Sequence, residues 1–304
     1  MFARSARMAE NRSAFLANAQ NAPHFSWPML PMKYSSRFWL YAPLVLFLAL
    51  ALWVMGHWWI LAKDLDRKLT AMNGHQAIPG ITVSWASKTI SGFPFRVDVI
   101  FTDLLVRAEA PLGPVTWHSD RFALHALTYG RTQDIFEAAG PQALAWTDAD
   151  NARHQLSFLP ASLHASAISG DRGLSRFDLD MMNAGGKDTD GTGFTAARVQ
   201  FHMRHDPKAD ALDLMLSALE VKNPATPFGD HVKKLEIYGR VTEGSSFARL
   251  LEGRSGWMDA IRAWKHRNGE IVTDKVDIES TALTTKDAGP ELQPGLRALL
   301  FPLY

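Results

Sequence analysis

The chain has 304 residues, 47% of them hydrophobic and 21% charged, which is enough to bury a core in one large domain or two ordinary ones. A formal net charge of +1 argues against the strongly basic face of a nucleic-acid binder, and no nucleic-acid partner is expected. With no cysteine, disulfides, thiolate metal sites, iron–sulfur clusters and a thiol nucleophile are excluded together, and an oxidising compartment is compatible.

Residues 1–36 show little apolar periodicity and hold Asn21, Pro23, Pro28 and Pro31, so a disordered extension is expected. Met32-Lys33-Tyr34 also reads as a chain start, in which case residues 1–31 would not be translated. From Phe38 to Ala62 no Asp, Glu, Lys or Arg occurs, a run of about 25 residues where roughly 20 suffice to cross a bilayer as a helix. Arg37 and Lys63 bracket it. Trp39 and Tyr41 stand at one end, with Trp53, Trp58 and Trp59 toward the other, as an aromatic belt requires. Pro43 falls early in the helix, where a missing N–H costs least. The run is too long for a cleaved signal peptide and predicts an uncleaved signal-anchor over 37–63. Arg4, Arg7, Arg12, Lys33 and Arg37 precede it, against Lys63, Arg67 and Lys68 after it. That bias predicts a single pass through the inner membrane with the C-terminal domain in the periplasm.

A helical stalk is predicted over 64–74, with Leu61, Leu65, Leu69 and Met72 on one stripe and Asn73-Gly74 as the stop. From residue 75 onward, period two dominates. Ile81, Val83 and Trp85 alternate with polar residues, and Phe93, Phe95, Val97, Val99 and Phe101 are read as one buried face of a single strand. Further strands are expected at 115–117, 121–129, 143–147, 155–159, 162–168, 176–182, 197–204, 211–219, 234–241 and 270–278. Gln133–Ala139 is read as a short helical turn. A helix between Ser245 and His266 should break or bend at Gly253 and Gly256. Such alternation predicts a mainly β (β-rich α+β) exported domain over 75–304, built on a large antiparallel twisted sheet with a few short helices. The apolar tail ending Leu299-Leu300-Phe301-Pro302-Leu303-Tyr304 reads as a docked strand or a truncated end.

The hexapeptide Ser91-Gly92-Phe93-Pro94-Phe95-Arg96, some 30 residues beyond the apolar run, resembles the signature of a bacterial envelope family catalogued as a domain of unknown function (number 2125). The resemblance extends over roughly residues 35–280 and implies no catalytic residue. A more distant similarity to AsmA-like envelope proteins implies a lipid-handling β-sheet scaffold. The same six residues also have a structural reading: a Gly-permitted bend, a proline at a strand end, two buried Phe and an outward Arg96.

No chemical motif nominates a catalytic, metal or cofactor site. His202 and His205 are three apart and fall on opposite faces of a strand, while His118 and His125 are too far apart in sequence to judge. Gly185–Gly191 lacks the downstream Glu of a calcium loop and reads as a hairpin loop. There is no nucleophile elbow and no phosphate-binding loop. The leading expectation is therefore a non-enzymatic, membrane-anchored envelope protein that holds lipid or another apolar ligand on its sheet. The alternatives are a scaffold for other envelope proteins, recruited at a sheet edge, and an unrecognised hydrolase.

Overall fold

The computed structural model describes residues 36–285, apart from 111–112, 128–131, 149, 172, 224–228 and 282–283. The expected extension and the apolar tail lie outside the described residues. The chain forms two compact units, residues 1–51 and 52–304. In the first, the described part is helical, with Trp39, Leu44 and Phe47 exposed along it. This is the start of α1 (Ser36–Met72), rich in Leu and Ala and free of charge between Arg37 and Lys63. It is long and apolar enough to cross a membrane. Asn73 closes its last turn by donating to Leu69 O at 3.1 Å, and Gly74 follows at φ +79°, the left-handed stop that glycine tolerates.

Among the described residues, the second unit continues α1 into one antiparallel sheet of fourteen strands. They are β1 (His75–Ile78), β2 (Ile81–Ser84), β3 (Ser87–Ser91), β4 (Arg96–Ala108), β5 (Val115–Leu127), β6 (Gln133–Thr147), β7 (Arg153–Leu159), β8 (Ser162–Gly170), β9 (Gly173–Lys187), β10 (Gly193–Asp206), β11 (Ala211–Lys222), β12 (His231–Thr242), β13 (Ile271–Ser280) and β14 (Thr284–Thr285). β2 and β3 lie end to end along β4, and β7 and β8 end to end along β6; apart from these two breaks the sheet is a meander in which strands pair with their neighbours in sequence. Between β12 and β13 come a 3-10 turn (Gly244–Phe247), α2 (Ala248–Leu251) and α3 (Trp257–His266), interrupted near Gly253 (φ +70°) and Gly256 as the sequence predicts.

A crease crosses the sheet. β2 and β3 part at Trp85-Ala86, and opposite them Asp103 of β4 sits at φ +50°. The line continues through the register shift at Asp120, Gly140 at φ +79°, the β7–β8 break at Pro160-Ala161, Asn183 at φ +48°, Glu220 at φ +51° and the shift at Lys233. A left-handed residue within a strand breaks the strict alternation of side chains. Thus the apolar pairs change parity at Asn183: Phe177, Leu179 and Met181 stand opposite Met203, Phe201 and Val199, but Ala184 and Gly186 stand opposite Ala196 and Phe194.

Three expectations are corrected. Gln133–Ala139 is the first half of β6, not a helical turn: pairing to β5 on one side and β8 on the other overrides the helix propensity of its Glu and Ala residues. Phe93 and Phe95 do not extend the buried face of β4. They stand in a turn, 49% and 63% exposed, and β4 begins only at Arg96. Residues 115–117 and 121–127 are one strand, β5, kinked at the crease; position 129 lies outside the described residues. β1, β3 and β14 had no counterpart in the sequence reading.

Candidate functional site

Residues directly opposite one another in register share a face, so the pairing alone defines the two surfaces of the sheet. One is apolar from end to end. Val99 is followed across the strands by Leu124, Phe136, Ala165, Leu179, Phe201, Leu216, Ile237 and Val276. Both ends of this face are covered. Trp58, Leu61, Leu65, Leu69 and Met72 of α1 pack over Val97, Val99, Phe101 and Leu104, with Val99 fully buried. At the other end Phe247, Leu251 and Trp264 pack over Leu212, Val241 and Ile271, and Trp264 Nε1 donates to Thr242 O at 2.9 Å.

The sheet curls around this face. Gly173 lies close under Leu251 O, Gly253 against Ile78, and Gly256 against Pro79 O, each approach leaving little or no room for a Cβ. Trp257 Nε1 donates to Glu109 O. The 244–266 segment thus ties β9 and β11–β13 back to the turns beside β1, β2 and β4. Between the two covers, along the crease, remains a cavity of about 480 Å³. It is lined by Trp117, Phe122, Phe136, Ala138, Phe158, Leu163, Ala165, Phe177, Leu179 and Met181, with His164 the one polar residue. Phe122 sits at its centre, stacked on Phe136 at 5.9 Å and edge-on to Trp117 at 5.7 Å.

The opposite face carries the charges. His125 meets Asp98 at 2.6 Å and His202 meets Asp178 at 2.6 Å, each pair bridging adjacent strands or strands in register. Burial works to raise the Asp178 carboxyl, but hydrogen bonds from His202 and Arg176 outweigh it and hold the group below the usual carboxylate range. Asp213 behaves alike: burial opposes ionisation, and Arg204 at 2.7 Å with Arg240 at 2.8 Å prevails. Arg198 grips Asp180 with Nε at 2.8 Å and Nη2 at 2.9 Å. These are cross-strand ion pairs on a wet surface, suited to fixing register. His118 lies 3.7 Å from Asp103 through Nε2 and 3.9 Å from Asp120 through Nδ1. The two carboxylates approach different ring nitrogens, a poor arrangement for one ion. His202 and His205 fall on opposite faces, since His202 pairs with Asp178 on the charged side and His205 stands opposite Leu212 on the apolar side.

Ser91 to Arg96 forms the connection from β3 to β4. Gly92 is at φ +98°, and a Cβ there would meet Arg96 O at 2.8 Å and Asp98 Oδ2 at 2.9 Å, so both conformation and space call for glycine. Trp58 Nε1 of α1 donates to Arg96 O at 3.0 Å, and the Trp58 ring meets Phe93 edge-on at 5.6 Å. Arg96 pairs with the buried Asp98 at 2.8 Å. The hexapeptide therefore fastens the helix to the first long strand, and it lies apart from the cavity-lining residues. Of the cavity's side chains, Phe177, Leu179 and Met181 stand out in the sequence as an alternating run. Trp117, Phe136 and Phe158 join them only through register, which no local pattern displays.

A comparison with curated proteins and with solved structures returns no match. The family model of an uncharacterized protein conserved in bacteria (DUF2125) matches residues 58–290, a span that takes in residues 91–96, every described strand of the sheet and both helices between β12 and β13. The chain therefore belongs to the family of uncharacterized bacterial proteins described as DUF2125.

Proposed function

We propose that this is a non-enzymatic, membrane-anchored envelope protein whose creased sheet holds an acyl chain or another apolar ligand. The cavity carries the reading. Its volume of about 480 Å³ lies within the roughly 300–1,000 Å³ of small-ligand pockets, and ten of its eleven lining residues are apolar. An apolar recess with aromatic walls beside a helix able to cross a bilayer suits a molecule delivered from lipid. The excess of Lys and Arg before the apolar run of α1 supports a helix that places the sheet on the periplasmic side of the inner membrane.

The test is native mass spectrometry of the full chain released gently from lipid nanodiscs. A bound lipid at one per chain, lost when Leu179→Lys places a charge in the cavity, is the expected result. Wild-type protein that flies without lipid under conditions that keep the sheet folded overturns the reading.

A further inference from the structure

The loop Gly92-Phe93-Pro94-Phe95 leaves two large aromatics exposed, and Leu127, directly opposite Arg96 on β5, is also 45% exposed. In a water-soluble fold such a cluster costs solubility and commonly marks a contact surface. Its position along α1 indicates what that surface meets. Trp58, which holds the loop through Arg96 O and the Phe93 ring, lies five residues before Lys63, the first charged residue after the apolar run. At 1.5 Å per residue, that is about 7.5 Å on the apolar side of Lys63. Trp59 lies at the same height, with Lys63 Nζ over its ring at 5.5 Å, a cation and an aromatic placed as at a headgroup boundary. Trp58 itself already packs against the sheet, leaving no helical spacer between the loop and the end of the apolar run.

We propose that this loop is a membrane-insertion element: Phe93, Phe95 and Leu127 enter the interface of the leaflet that α1 leaves, and seat the Arg96 end of β4 on the lipid surface. The expected depth matches the ~5–10 Å to which amphipathic segments bury their apolar side. Arg96 stands at the rim, 61% exposed, where a lipid phosphate would meet it. The proposal rests on the reading that α1 spans a bilayer, but not on any ligand in the cavity.

Because the chain has no cysteine, one cysteine at a time can carry an environment-sensitive fluorophore. Full-length Phe95→Cys, Leu127→Cys, Leu48→Cys in the apolar run and Asp190→Cys in the turn at the far ends of β9 and β10 would be reconstituted into phosphatidylethanolamine–phosphatidylglycerol vesicles. Each is read with and without lipids bearing a nitroxide on the acyl chain. The expected result is about twofold or greater quenching at Phe95, Leu127 and Leu48, with Asp190 unaffected. Quenching at Leu48 but not at Phe95 or Leu127 overturns the proposal and leaves the span intact. Shielding of Phe95 from aqueous iodide and nitroxide lipid alike would assign the patch to protein and also overturn it. No quenching at Leu48 removes the span, and the proposal with it.

Discussion

Ala165 lines the cavity with Phe136 of β6 and Leu179 of β9 directly opposite it on either side, so a larger side chain there should compete with any occupant. An indole carries about 200 Å² of apolar surface, and with one side laid on the wall it withdraws about 100 Å² from the ligand. At about 25 cal/mol per Å², that is about 2.5 kcal/mol, or nearly two decades of affinity. The cavity is open, so overpacking should leave the unfolding midpoint close to that of the wild type. The assay is photocrosslinking of the full chain in nanodiscs with a phospholipid carrying a diazirine on its acyl chain, followed by peptide mapping. Wild-type adducts should fall on β5, β6, β8 and β9. Ala165→Trp should lower them more than tenfold, while Asp190→Trp on the exposed turn leaves them unchanged. Equal labelling of wild type and Ala165→Trp, or adducts confined to α1, would refute the reasoning.

Three further outcomes follow from the packing and the charges. Trp264→Ala empties a buried site against Phe247, Leu212 and Val241 and removes the partner of Thr242 O; it should cost about 3–5 kcal/mol in urea unfolding. Asn183 sits in the left-handed region at the crease, so Asn183→Gly should be neutral or slightly stabilising and Asn183→Val should cost about 1–2 kcal/mol, read as shifts of the thermal midpoint. Asp213 has a depressed folded-state pKa, so its contribution is present above the unfolded value near 3.9 and disappears as pH falls through the folded one. Asp213→Asn should therefore cost about 1 kcal/mol at neutral pH, and the gap to wild type should close in acid titrations of stability.

Fold class and the existence of most strands were legible because alternation is a local signal. Strand ends were not, and the reason is the crease. The expected strand 176–182 stops at the residue before Asn183, and 211–219 stops before Glu220. The expected 121–129 starts just after Asp120, and 234–241 just after Lys233. Each left-handed residue or register shift inverts the parity, so a reader following period two ends the strand where the chain merely turns over. The same effect hid the cavity, whose Trp117 and Phe158 lie beyond the crease from Phe122 and Leu163. The hexapeptide failed differently. Phe93 and Phe95 share the parity of Val97 and Val99, and that run outweighed Gly92 and Pro94, which mark the turn that separates them.

The meander has a consequence for the order in which the molecule assembles. Nearly every pairing joins neighbours in the chain, so hairpins can add one after another in the direction of synthesis, each using its predecessor as a template. Ring closure is the exception. The bond from Trp257 to Glu109 spans 148 residues, and with the Gly253 and Gly256 contacts it can form only after β12 exists. Until then the apolar face is open everywhere beyond the part that α1 covers. Closure is thus a late event that turns an exposed sheet into a walled recess, and amide exchange during refolding should show α3 protected after β4 and β5.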